Sequence, residues 1–156
     1  MSNVSNSVSG TGVVPGIAYA PAGWVRARTP LPTDTRVIDE GDREAEKERF
    51  VTAATTVAAR FAERASTATG VASEVLGATA NLAKDRGWLR AGQRLIAAGK
   101  PATQATVEAI DQFGEQFEKL GGLMAERTTD LKDIRDRVIA EILGLPEPGV
   151  PQPSSP

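Results

Sequence analysis

Apolar residues recur every three or four positions from residue 50 onwards, and this spacing restricts the fold more than any other feature of the sequence. Side chains with that spacing lie along one stripe of an α-helix. The first stripe consists of Phe50, Ala54, Val57, Phe61 and Ala65. Acidic residues before it suit the positive end of a helix dipole, and Gly70 is expected to end the helix. The spacing therefore predicts a helix that packs against other helices.

Two further helical pieces are predicted between Gly70 and Pro101. The first carries on one side Val71, Val75, Thr79 and Leu82. Gly87 is expected to break the pattern. The second piece then carries Trp88, Leu89, Leu95 and Ile96. Gly99 and Pro101 indicate a stop and a new start, so this region is predicted to be one broken helix.

Two more stripes follow Pro101. The first consists of Ile110, Phe113, Phe117, Leu120 and Met124, although Gly114, Gly121 and Gly122 weaken it. The last consists of Leu131, Ile134, Val138, Ile142 and Leu145, and is ended by Gly144 and Pro146. Asp133 and Arg137 are expected one turn apart on its exposed face. Because each buried large apolar side chain contributes about 1.5 to 3 kcal/mol, helix packing should dominate. The prediction is an all-α claw or bundle of about four helices, one of them broken.

Both ends of the sequence lack helical spacing. Residues 1–11 are expected to be disordered, and residues 12–35 to form a short strand, Ile17 to Tyr19, and an extended connection. A single strand is not stable alone, so it either pairs with strands outside this chain or covers the helices. The helical domain is expected over residues 36–145, and the Pro-rich residues 146–156 have the composition of a linker.

Composition excludes several classes of function. The chain contains no His and no Cys, which removes the usual general base and the usual zinc ligands. A net charge of -2 without runs of Lys or Arg leaves no face for a phosphate backbone, so no nucleic-acid partner is expected. There is neither a signal peptide nor an apolar run of about 18 residues, so the expectation is a cytoplasmic protein without a membrane partner.

Three patterns that loosely match functional motifs have simpler explanations. The glycines at residues 10, 12 and 16 lack the spacing of a phosphate-binding loop and its following helix, so a structural turn is predicted. The carboxylates of residues 39–46 do not match a calcium loop and suit a helix start instead. The third pattern consists of Asp130, Asp133 and Asp136. Basic residues alternate with these aspartates, so surface ion pairs are predicted.

Three stretches carry motifs of one family. GVVPGIAYAPA, residues 12–22, is similar to its opening strand, with Val14 in place of a usual Ser. LGATANLAKDRGW, residues 76–88, is similar to the end of its second helix: Ala78, Leu82 and Asp85 match, while Thr79 replaces the usual His. ERTTDLKDIRDRVIAEILGLPEPGVP, residues 126–151, is the most specific, with Glu-Arg, Asp and Asp-Ile before a basic helix that ends in Leu-Gly. Together they resemble Enzyme I of the bacterial phosphoenolpyruvate-dependent sugar phosphotransferase system, of the actinobacterial type.

The resemblance covers residues 10–150 and implies the opening strand and helical claw of Enzyme I. In that family, phosphoenolpyruvate and magnesium bind a C-terminal barrel domain, and a His of an α/β domain accepts the phosphoryl group. The claw binds the histidine-containing phosphocarrier protein, HPr, which receives the group for sugar uptake. The resemblance thus implies a monomeric fragment that docks HPr, holds no cofactor and is inactive alone. The strand would belong to the missing α/β domain, to which residues 146–156 would lead.

The resemblance places the HPr-binding surface at the end of the second helix and the start of the last. The residues carried over are Glu74, Ala78, Thr79, Leu82, Asp85, Arg86, Trp88, Met124 and Arg127. Asp85 is expected to pair with a basic residue of HPr. Leu82→Asp is expected to weaken binding at least tenfold, about 1.4 kcal/mol, with the helices still folded. Core packing remains the alternative for Ala78 and Leu82, and Trp88 is an anchor of either the core or the interface.

A protein of a different class is the alternative function. The stretch TAATTVAARFAERASTATGVASEV, residues 52–75, suits a free-standing Ala-rich helical structural or adaptor protein, such as a coat of storage granules. The strand at residues 12–22 and the terminal linker favour Enzyme I, because an amphipathic coat needs neither.

Overall fold

The computed structural model describes residues 9–12, 15–17, 19 and 30–149. After a 3-10 turn, Glu40–Asp42, its helices are α1 (Arg43–Thr67), α2 (Val71–Ala83), α3 (Arg86–Ala97), α4 (Ala102–Leu120), α5 (Leu123–Glu126) and α6 (Thr128–Leu143). This confirms the all-α class, and α2 with α3 forms the predicted broken helix. Within the described ranges, none of these helices combines the length and apolar character that crossing a membrane requires.

The predicted strand, Ile17 to Tyr19, is only partly covered by the described residues. Ala18 lies outside them, whereas Ile17 and Tyr19 are fully exposed and are not in a strand. The strand stays a prediction, because it was expected to pair with strands outside this chain and a strand needs such a neighbour to be stable.

Helix α1 lies at the centre of the fold and contacts α2, α3, α4 and α6. Its Phe50 packs edge-on against Trp88 of α3, with ring centroids 5.5 Å apart. The Phe50 ring also lies on Gly92, where an added Cβ atom would come within 2.3 Å of Phe50 Cζ. Trp88 is fully buried, and its indole Nε1–H donates to the carbonyl oxygen of Leu82 at 3.0 Å. Trp88 is therefore an anchor of the core and not of an interface.

The predicted apolar stripes are buried where another helix covers them. Most of their residues lie in one core, including Phe50, Val57 and Phe61 of α1 and Leu131, Ile134 and Val138 of α6. The exceptions are Val71, Val75, Leu120 and Leu145, which are between 48% and 74% exposed. The valines occupy the first turns of α2, and Leu120 is the last residue of α4. Spacing identifies the apolar face of a helix, but not how far a neighbouring helix extends along it.

The charged residues of α6 are more buried than the sequence predicts. Arg135 and Asp136 are both buried and form an ion pair of 2.8 Å. Arg137 pairs with Asp133 at 2.8 Å, but its side chain is only 13% exposed. The predictions of a surface ion pair at Asp136 and of an exposed Arg137 are thus wrong. Because α6 packs against α1 as well as α4, only a narrow part of its circumference faces water.

Candidate functional site

The junction between α2 and α3 is built around Asp85. Its Oδ1 accepts a hydrogen bond from the backbone N–H of Gly87 at 2.7 Å, so Asp85 is the N-cap of α3. The helix break therefore falls at Lys84 and Asp85, and Gly87 lies inside the first turn of α3. This corrects the predicted break at Gly87: the capping carboxylate, not the glycine, determines where α3 begins.

Packing gives Gly87 a different role from the predicted one. A Cβ atom at this position would come within 2.7 Å of Phe113 Cε2. The glycine thus lets α3 start close against α4. Thr128 and Leu131 of α6 approach Gly114, one residue further along α4. The start of α3 and the start of α6 therefore meet the same part of α4, which brings the two halves of the predicted surface to one end of the fold.

The predicted binding residues fall into three groups by exposure. Glu74 and Arg86 are exposed. Those that are partly buried are Ala78, Asp85, Met124 and Arg127. Those that are buried are Thr79, Leu82 and Trp88. The last group cannot supply contact area to a partner in this conformation.

Each buried residue of the predicted surface has a partner within the protein. The Thr79 hydroxyl donates to the carbonyl oxygen of Val75 at 3.0 Å, and Leu82 lies in the core with Trp88. For Leu82, the core alternative is correct. We therefore expect Leu82→Asp to destabilise the fold, because a carboxylate at this position would replace an apolar side chain inside the core.

Several exposed apolar residues that were not predicted as binding residues lie on the first turns of α2 and beside α5. Val71 and Val75 precede Ala78 on α2 and are 74% and 54% exposed. Leu120 and Leu123 flank the two glycines between α4 and α5 and are 71% and 78% exposed. The helical spacing detected Val71, Val75 and Leu120 but assigned them to the core. Exposed apolar side chains of this kind can supply contact area to another protein when they form a contiguous patch.

Charged side chains near the junction have no internal ion pair. Among the described residues, the ion pairs do not involve Glu74, Lys84 or Arg86, and all three side chains are exposed. Ranges 9–12, 15–17, 19 and 30–149 also contain no group of three or more potential metal ligands. The junction can therefore offer apolar area and free charge to a partner, and it holds no arrangement typical of acid–base catalysis.

Comparison with known proteins identifies one family. Residues 9–127 match the family described as PEP-utilising enzyme, N-terminal. The phosphoenolpyruvate-protein phosphotransferase of Streptomyces coelicolor is 34% identical over 155 residues, which are 98% of this chain and 27% of that protein. A protein of the same name from Haloferax volcanii is 50% identical over 44 residues, 28% of this chain and 8% of its own length. The chain thus spans about a quarter of the length of the Streptomyces relative.

Solved structures share the fold. A solution NMR structure of Enzyme I aligns with a TM-score of 0.64 and 24% identity, over 76% of this chain and 50% of its own. The N-terminal domain of "Enzyme 1 - Nitrogen" aligns with a TM-score of 0.63 and 23% identity, over 78% of this chain and 53% of its own. The chain belongs to the N-terminal family of PEP-utilising enzymes, and its likeness is to the N-terminal domain of Enzyme I, the phosphoenolpyruvate-protein phosphotransferase.

Proposed function

We propose that this chain is the HPr-docking part of an Enzyme I, the enzyme that moves a phosphoryl group from phosphoenolpyruvate to a His of HPr for sugar uptake in the cytoplasm. The observation that supports this proposal best is the apolar side chains left exposed on α2 and α5. Val71 and Val75 of α2 and Leu123 of α5 are all more than half exposed. Family membership alone does not explain why these apolar side chains are left uncovered on this chain, whereas a partner surface does.

Docking would combine apolar contact with charge pairing. An amphipathic helix of HPr would cover Val75 and Leu123, since such a helix presents apolar side chains at helical spacing to a groove. Glu74, Lys84 and Arg86 would act at the rim, where charges guide association and select the partner more than they add affinity. Asp85 would contribute mainly by capping α3, because its Oδ1 already accepts the hydrogen bond from Gly87.

The chain's own residues would bind and orient the carrier rather than carry out the transfer. The sequence contains no His, so the imidazole that accepts the phosphoryl group lies outside these residues. In the longer relatives, phosphoenolpyruvate and its magnesium ion would likewise be held elsewhere. The helical part would supply orientation, because docking holds the carrier, and with it the carrier's His, in a fixed place. Such orientation lowers the barrier of a bimolecular transfer.

A titration of isotope-labelled HPr with the purified chain tests this function. Saturable NMR shifts around the active-site His of HPr and its neighbouring helix are expected. Val75→Asp should raise the Kd at least tenfold, which corresponds to about 1.4 kcal/mol, because it places a carboxylate in the apolar contact. Leu123→Asp should act in the same direction.

Val37→Asp provides a matched control. Val37 is 75% exposed and lies before α1, against Gly99 of the α3–α4 turn. Val37→Asp makes the same substitution at another exposed valine, but one that is not part of the proposed contact. It should therefore leave the Kd unchanged. A flat titration with folded chain would contradict the docking function. Equal losses for Val75→Asp and Val37→Asp would contradict the proposed location.

A further inference from the structure

The chain folds back on itself immediately after α6. Gly144 adopts a left-handed conformation with φ 65°, and its N–H donates to the carbonyl oxygen of Glu141 at 3.2 Å. The N–H of Leu145 donates to the carbonyl oxygen of Ala140 at 2.8 Å. This pair of bonds is the Schellman motif, which glycine favours because it lacks a Cβ atom. The motif turns residues 145–149, here termed the strap, back along α1 and α6.

Glu147 fastens the middle of the strap to two helices. Its Oε2 accepts from Arg64 Nη2 of α1 at 2.7 Å, and its Oε1 pairs with Arg137 Nη1 of α6. Phe61 aligns both arginines, since its ring centroid lies 5.9 Å from Arg64 Cζ and 5.1 Å from Arg137 Cζ. Asp133 holds Arg137 from the other side at 2.8 Å. One carboxylate thus joins the strap to both α1 and α6.

The electrostatics of Glu147 agree with this geometry. Partial burial by itself would raise its pKa, but the hydrogen bonds from Arg137 and Arg64 outweigh that effect and lower the pKa of this carboxyl below its ordinary value. Burial alone would likewise lower the pKa of Arg137, yet its contacts with Asp133 and Glu147 raise it. Both groups are therefore charged when the strap is in place.

We propose that Glu147 is the latch of a releasable strap: its two arginine contacts hold the strap in place beside buried Pro148, and their loss loosens the strap without unfolding the helices. The Schellman bonds involve only α6 and the first two residues after it, so they remain when the latch opens. The latch itself consists of ion pairs whose side chains are up to 39% exposed. Such pairs are weak and are screened by salt, which makes the contact suited to opening and closing.

The latch is independent of the proposed HPr-docking surface. Arg64 lies near the end of α1, and Arg137 and Glu147 lie on and after the second half of α6. None of them is among the residues proposed to contact HPr. An open latch should therefore leave the HPr titration unchanged, so the two proposals can fail separately.

Backbone dynamics of the full chain test the latch. In Glu147→Ala, the heteronuclear ¹⁵N NOE of residue 147 and Gly149 should fall well below that of the helices, while α6 and Leu145, whose N–H stays bonded to Ala140, keep their wild-type values. Arg64→Gln should give an intermediate loss, because one of the two contacts remains. Raising the salt concentration of the wild type should move the NOE values of these two strap amides in the same direction.

Glu141→Ala is the matched control. Glu141 also pairs with an arginine of α1, Arg60, at 2.7 Å, but it is part of α6 and not of the strap. Loss of the Glu141 side chain should leave the NOE values of Glu147 and Gly149 unchanged. Wild-type rigidity of the strap in Glu147→Ala, or equal loosening in Glu141→Ala, would overturn the role of Glu147.

Discussion

Two ends of this helical protein treat their charged and apolar residues in opposite ways. At the junction of α1, α6 and the strap, the arginines and carboxylates pair with one another, and the aromatic ring of Phe61 lies beneath them. At the α2–α3 junction, Lys84 and Arg86 project into solvent, as Val75 does nearer the start of α2. In the first region the charges pair with one another and stabilise the fold. In the second region the exposed charged and apolar side chains would gain contacts only when another protein binds. Residues of the same type can therefore either stabilise the fold or remain available to a partner, depending on which side chains the fold places beside them.

The sharpest test of this difference compares two residues on the same stripe of α2. Leu82 is buried beside Trp88, whereas Val75 is more than half exposed. Leu82→Asp should lower the free energy of unfolding by about 3 to 5 kcal/mol, because it loses core packing and buries a charge without a partner. Val75→Asp should change stability by less than about 0.5 kcal/mol. Urea unfolding monitored by circular dichroism measures both, and a stable Leu82→Asp would contradict the assignment of Leu82 to the core.

A smaller effect is expected from removing one charge at each end. Arg137→Ala should destabilise the protein by about 1 to 3 kcal/mol, because it leaves Asp133 and Glu147 without a shared partner and uncovers Phe61. Arg86→Ala should stay within about 0.5 kcal/mol of the wild type, since the described residues give it no ion pair. Thermal unfolding of both variants separates the cases. Equal losses of stability in Arg137→Ala and Arg86→Ala would contradict the distinction between the two ends.

The smallest effect concerns the pH dependence of the latch. The pKa of Glu147 is lowered in the fold, so its stabilisation is present above the unfolded value of 4.5 and is lost as the pH falls through the folded pKa. Glu147→Gln should therefore be less stable than the wild type near neutral pH, by less than about 1 kcal/mol for such partly exposed pairs. The difference should shrink towards zero in acid. A difference that stays constant with pH would show that charge is not its cause.

The predictability of the fold follows from the local nature of helical signals. Stripes such as Phe50, Val57 and Phe61 are visible in the sequence because helical spacing depends only on neighbours along the chain. The end of α6 at Gly144 was predicted for the same reason: its hydrogen bonds reach back no more than five residues. Asp85 shows the limit of this approach. Its capping bond to Gly87 is also local, but the helix break was predicted from the glycine and not from the carboxylate.

The candidate surface was predictable only in outline. Motifs placed it at the end of α2 and near the start of α6, and the structure brings those segments to the same part of α4. Of the nine residues carried over, three are buried, while exposed Val75 and Leu123 were not among them. Whether an apolar residue of a stripe faces the core or a partner depends on the length of the neighbouring helix. That length is a property of the packed fold and cannot be read from a short sequence motif.

The sequence by itself determined the helical class, the approximate helix positions and the family, because these depend on spacing and on residues close together in the chain. Only the tertiary structure decided that Trp88 and Leu82 belong to the core, that Arg64 and Arg137 share Glu147, and that Val75 is left uncovered. Arg64 and Glu147 are separated by 83 positions, and no local pattern links residues so far apart. Packing brings them together, and packing likewise determines which apolar side chains remain free for a partner.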